Sequence, residues 1–132
     1  MSGLKIFRRN QKGNAVIEMA LLLPLLLLVL FGITEFGRAV MTTNVLNTAA
    51  REGARLAVVS ALSDTLSVQG RVNTVLAAAN VTPKAITIEY FAANNSIRVR
   101  VTSDFDVLSS SVLQVFSGTF ELSGTVVMRY EL

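Results

Sequence analysis

The chain has 132 residues, room for one modest domain and an anchor, with a hydrophobic fraction of 52% and a charged fraction of 16%. It contains neither Cys nor His, which excludes thiol chemistry, Cys/His zinc sites and Ser–His or Cys–His triads, without fixing the redox compartment. The formal net charge of +3 is local: Lys5, Arg8, Arg9 and Lys12 precede Gly13 with no acid among them, and the other eight Lys and Arg face nine Asp and Glu. No basic face is left for a folded domain, so no nucleic-acid partner is expected.

The basic leader, residues 1–13, runs straight into "KGNAVIEMALLLPLLLLVLFGITEFGRA". From Ala15 to Ile33 only Glu18, Pro24 and Gly32 interrupt the apolar character. Nineteen helical residues at about 1.5 Å each span roughly 28 Å, the thickness of a bilayer's hydrocarbon core. A cleaved secretory signal is the rival reading, but its apolar core is shorter, about 7–15 residues, and ends in small residues. The run here is longer and continues into helix-forming sequence, which favours an anchor. Basic residues on its N-terminal flank place the N-terminus in the cytoplasm and the remainder outside. Pro24 frees the carbonyl of Ala20, so a kink that suits helix packing is expected.

Glu18 admits two readings. As a carboxylate near the cytoplasmic edge of the bilayer it snorkels to water, well below the cost of a mid-membrane charge. Alternatively a peptidase cuts between Gly13 and Asn14, and the new α-amino group of Asn14 lies one helical turn from Glu18. The carboxylate then pairs with that amine or with a neighbouring subunit's, and a paired charge tolerates an apolar environment.

No strong breaker follows from Gly37 to Val59, so one transmembrane and stalk helix is expected over residues 14–61. Ala50, Ala54, Ala57 and Ala61 form a narrow small-residue seam suited to close helix packing, against the chain's own domain or a second subunit. Glu35 and Arg38 read as a local pair just past the apolar run, and Glu52 moderates Arg55 beside Arg51.

Residues 62–132 read as an α+β headgroup outside the membrane. Ser63 or Asp64 caps a second helix whose stripe is Val68, Val72, Val75, Leu76 and Ala79, ended by Thr82-Pro83. The period then changes to two. Ile86, Ile88 and Tyr90 face Val101, Val99 and Ile97 across a hairpin closed by Ala92 to Asn95, with Glu89 opposite Arg98 on the outer face. Phe105 to Phe116 is expected to link, as a turn or short helix carrying Leu108 and Leu113 inward. A last strand places Phe120, Leu122, Val126, Met128, Tyr130 and Leu132 on one parity, and Gly124 marks a bulge or bend. The fold class expected is α+β: a long N-terminal helix, a short helix and a small antiparallel sheet.

The quoted run together with "NTAAREGAR" resembles the TadE-like family of tight-adherence (Tad) pilus systems, and its opening resembles a prepilin-type leader. The resemblance covers Gly13 to about Val59. It implies a minor pilin or pseudopilin of a Tad/Flp-type machine, with Gly13 before the cut and Glu18 as the leader's fifth mature residue. Its implied partners are the membrane, other pilin subunits or further copies of itself, prepilin peptidase and the inner-membrane pilus assembly platform. Asn14 stands where mature pilins often begin with an aromatic residue, and Met19 where Tad-type leaders commonly have one after the glutamate.

Acidic residues are the remaining chemical groups. Asp104 and Asp106 lack the six to eight oxygens and Gly-bearing loop of a calcium site and read as turn or capping residues. No phosphate loop, nucleophile elbow or tuned carboxylate pair is present, so neither enzymatic activity nor a cofactor is expected. Three roles then stand: a pilin-like structural or assembly subunit, an unprocessed membrane-anchored accessory protein of the secretion machine, and a surface adhesion module. The third lacks an exposed aromatic cluster or charged patch in the sequence.

Overall fold

The computed structural model describes residues 11–60, 64–107 and 118–130. Its elements follow in chain order: α1 (Gln11–Val59), α2 (Thr65–Ala78), β1 (Ala85–Phe91), a single 3₁₀ turn (Ala92–Asn94), β2 (Ser96–Asp106) and β3 (Thr119–Arg129). This is the expected α+β architecture. The chain divides into two units between Thr34 and Glu35.

The first unit, as described, is the N-terminal part of α1. Helix runs through it without interruption, Pro24 included. It is the one described helix long and apolar enough to cross a membrane, and none of its most apolar stretch is buried by the protein. Leu21, Leu26 and Ile33 are each about two-thirds or more exposed. In water this would be a large uncompensated apolar surface; in hydrocarbon it is the stable arrangement.

The second unit is a headgroup in which the C-terminal part of α1 and α2 cover one face of a three-stranded sheet. The strands form an antiparallel meander in the order β1–β2–β3. The hairpin has the register that side-chain alternation requires: Ile86 opposite Val101, Ile88 opposite Val99 and Tyr90 opposite Ile97. Asn95 closes it with a left-handed φ of 47°, a conformation Asn tolerates better than most residues. On the outer face Arg98 meets Glu89 at 3.0 Å.

Asp64 caps α2, its carboxylate accepting a hydrogen bond from the Ser67 amide at 3.2 Å; Ser63 lies outside the described residues. Of the stripe on α2, Val68, Val72 and Leu76 are fully buried and Val75 packs against the core. Ala79 instead forms the C-cap and is exposed, because the helix ends at Ala78, four residues before Thr82.

Two strand expectations are corrected. Phe105 and Asp106 belong to β2, not to a linker, since β3 pairs with β2 along its whole length and holds Phe105 opposite Phe120. Leu108 and Leu113 lie outside the described residues. Gly124 makes no bulge: it sits opposite Val101 in a continuous register. A Cβ there would strike the backbone of α1, at the Leu46 carbonyl and 2.5 Å from the Asn47 nitrogen. Phe120 keeps the expected parity, opposite Phe105, yet is 61% exposed near the end of the sheet, whereas Leu122, Val126, Met128 and Tyr130 pack on the core.

The core joins Leu46, Ala49, Ala50, Ala54 and Ala57 of α1 to Val68, Val72 and Leu76 of α2 and to Ile97, Val99 and Val101 of β2. Strand β2 lies along α1 in the opposite sense. Val99 packs near Gly53, Gly124 (opposite Val101) near Leu46, and Phe105 beneath the Arg38 guanidinium, 5.1 Å from ring centroid to cation. The headgroup therefore has a root, where α1 enters at Glu35, and a crown, where the β1–β2 turn and the start of α2 lie.

Candidate assembly and processing site

Gly13, Asn14 and Glu18 all lie on the first turns of α1, which begins at Gln11. The Gly13–Asn14 peptide bond is thus inside regular helix. A Cβ on Gly13 would meet nothing within 4 Å, so glycine is not required there by the folding of this chain. Glu18 follows Asn14 by one turn, on the same helix face, with its side chain on the protein's exposed surface. That spacing suits a contact between the carboxylate and an amine at Asn14, were the bond before it cut.

Pro24 stands in mid-helix among exposed leucines. Its neighbours Met19, Leu22, Leu23, Leu25, Leu26 and Val29 line a shallow, almost wholly apolar surface. Such a surface offers shape and dispersion contact to lipid or to another apolar helix, and no hydrogen-bonding group.

The small-residue seam is in the second unit. Ala50, Ala54 and Ala57 are each fully buried in the headgroup's own core; Ala61 lies outside the described residues. Small residues are needed because α2 crosses closely: a Cβ on Gly53 would stand 2.5 Å from Val72 Cγ2. Sequence reasoning missed Gly53, Ala49 and Leu46 in this surface. The signal was available, since these three fall on the same face as Ala50, Ala54 and Ala57 at helical spacing.

Electrostatics in the headgroup come from cross-element pairs. Arg71 of α2 reaches Glu52 of α1 at 3.1 Å, and Arg55 approaches the same carboxylate at 3.9 Å. Arg38 pairs with Glu35 at 2.9 Å, as their spacing predicts. Lys84, just before β1, bridges Asp104 of β2 at 2.8 Å and Glu121 of β3 at 3.1 Å. The hydrogen bond to Asp104, then that to Glu121, hold the ammonium above its ordinary pKa. Asp104 is therefore a sheet-pairing residue. No group of three or more acidic side chains placed to hold a metal ion occurs among the described residues.

Two further polar groups complete the headgroup's chemistry. The Ser103 hydroxyl is engaged, donating to the Thr82 carbonyl at 2.7 Å. The Tyr90 hydroxyl is buried without a hydrogen-bond partner among the described residues, and burial first, then the Asp64 charge, raises its pKa.

Comparison with known proteins gives one family. The model of the TadE-like proteins matches residues 13–55, the stretch that contains the apolar helix, Glu18 and most of the buried alanine face. No curated protein and no solved structure matches the chain.

Proposed function

From the TadE-like match over residues 13–55, which supports a place in a Tad pilus system, we propose that the chain is a pilin-like structural or assembly subunit. In this reading α1 holds the subunit in the membrane and later stacks with neighbouring helices. The basic leader stays cytoplasmic and the headgroup lies outside. Its role is non-catalytic, and its partners are other subunits, prepilin peptidase and the assembly platform. One observation supports it above the others: the family match begins at Gly13 and takes in an apolar helical stretch that the protein does not bury, followed along the same helix by residues packed in the headgroup core.

The starting point of α1 favours a second reading. Because helix already spans Gly13–Asn14, that turn must open before a peptidase can reach the bond. An uncut chain would be a resident accessory protein of the pilus machine, with Glu18 snorkelling to water.

The intact mass of the chain from membranes and from sheared surface material decides between them. A chain beginning at Asn14 in the sheared fraction is the expected result. A chain beginning at Met1 and confined to membranes overturns the subunit reading in favour of the resident anchor. Gly13→Val is expected to abolish processing while insertion and headgroup folding persist. Glu18→Ala is expected to spare both insertion and cleavage yet reduce incorporation into filaments, and normal assembly of that variant would remove charge pairing as the role of Glu18.

A further inference from the structure

The outer face of the sheet, turned away from α1 and α2, is polarised along the strands. At the crown it carries Arg98, Arg100 and Arg129. Only Arg98 has an acidic partner among the described residues, Glu89 at 3.0 Å. Arg100 faces Thr87 and Thr125, and Arg129 faces Ser96, and neither guanidinium has an acidic partner among the described residues. At the root the same face carries Asp104, Asp106 and Glu121. Lys84 is shared between Asp104 and Glu121, one cation for two carboxylates, and Asp106 lies opposite Thr119 with no cationic partner among the described residues. The helix side does not cancel this, since Arg38 at the root is paired with Glu35. At the crown Arg51, Arg55 and Arg71 exceed Glu52 and Asp64.

At the crown Val127 is 54% exposed on this face, opposite Arg98 and two residues from Arg129. Unbalanced positive charge at one end of the face thus matches unbalanced negative charge at the other. That is the complementarity expected of a heterologous, head-to-tail contact, in which two different patches meet and the contact can repeat without closing.

We propose that this sheet face docks a second copy of the chain head to tail, the Arg100/Arg129 crown of one headgroup meeting the Asp106/Glu121 root of the next. The inference rests on the subunit reading above, and subunits inserted in one orientation have parallel α1 helices. Parallel copies side by side at one level set Arg100 against Arg100 and Asp106 against Asp106. Copies shifted along the helix axis by about one headgroup exchange those repulsions for attractions. The contact therefore selects staggered over in-register pairing of headgroups, and it weakens with salt because the charges are exposed.

The absence of native Cys allows a direct test on the full-length chain in the cells that assemble it. Arg100→Cys and Asp106→Cys are made separately and together, and a short bismaleimide is applied. The double variant is expected to give a ladder of cross-linked multimers. Each single variant alone gives monomer, and the two single variants expressed together give dimer. Cross-linked dimer from Arg100→Cys alone would show in-register pairing and overturn the proposal, as would no cross-linking in any variant. Charge reversal supplies an independent readout. Arg100→Glu and Asp106→Arg are each expected to reduce self-association roughly tenfold or more, and mixing the two restores it, because each then offers the sign the other lacks. Unchanged association of the single variants, or failure of the mixture to recover, overturns the proposal. Processing at Gly13 is read separately by mass, so failure of the subunit reading is distinguishable from failure of the contact.

Discussion

At the scale of single residues, the sharpest constraint is Gly124. Its φ is not in the left-handed region, so glycine is present for want of a side chain: α1 occupies the place a Cβ would take. Gly124→Ala must push β3 off the helix against backbone that cannot yield as a flexible side chain would. The expected cost is about 1–3 kcal/mol or more, read as a lowered denaturation midpoint of the full chain in detergent, with unchanged stability rejecting the close approach. Asp64 is a second such point. Its carboxyl is held below its ordinary value of 3.8 by the side-chain, then backbone, hydrogen bonds of Ser67. A depressed carboxyl pKa stabilises the fold above the unfolded value, and that contribution disappears as pH falls through the folded value. Asp64→Asn, which keeps an acceptor oxygen but cannot titrate, is expected to flatten the acid limb of the stability profile below about pH 4. An acid limb identical to that of the parent would mean the cap contributes nothing.

At the scale of elements, what the sequence made legible and what it hid have separate physical causes. The β1–β2 register could be read because a one-residue slip would have buried Arg98 and Arg100, so local alternation alone specified the pairing. The cap at Asp64 and the stripe of α2 were likewise short-range properties. The length of β2 was not legible, because Phe105 and Asp106 are held in strand by β3, which lies thirteen or more residues further on. Gly124 suggested irregularity for the same reason: only the helix packed on it explains the missing side chain. Of the candidate site, Gly13, Asn14, Glu18 and Pro24 could be placed on one helix from the sequence, whereas the partners of Glu52 and Lys84 required elements to meet. Lys84 tests this element-level logic. Asp104 and Glu121 stand directly opposite on β2 and β3, where like charges repel, and the Lys84 ammonium joins them. Because its pKa is raised, its contribution is complete below the unfolded value of 10.5 and is lost as pH rises through the higher folded value. Lys84→Met is expected to destabilise the headgroup at pH 7 and to lack the parent's alkaline loss. A pH-independent defect would point to packing of the lysine stem instead.

At the scale of the whole molecule, one helix contributes to both units: its N-terminal part is exposed apolar surface, and its C-terminal part is buried core. The family match spans that change of role, so the apolar helix and most of the buried alanine face fall within one recognisable segment. Charge follows a different plan, concentrated on the headgroup's sheet face and split by sign between root and crown. Surface ion pairs such as Arg98–Glu89 contribute only about 0–1 kcal/mol; their value lies in deciding which surfaces meet. The antiparallel course of β2 along α1 has a mechanical consequence. A pull on α1 toward its N-terminus loads the headgroup in shear, since Leu46, Ala50, Gly53 and Ala57 must all slide past strand and helix together. A pull that separates β1 from β2 at their turn breaks one rung at a time. Tension delivered through the helix should accordingly meet a stiff, high-force response, and the same headgroup should unzip at lower force when gripped by its hairpin.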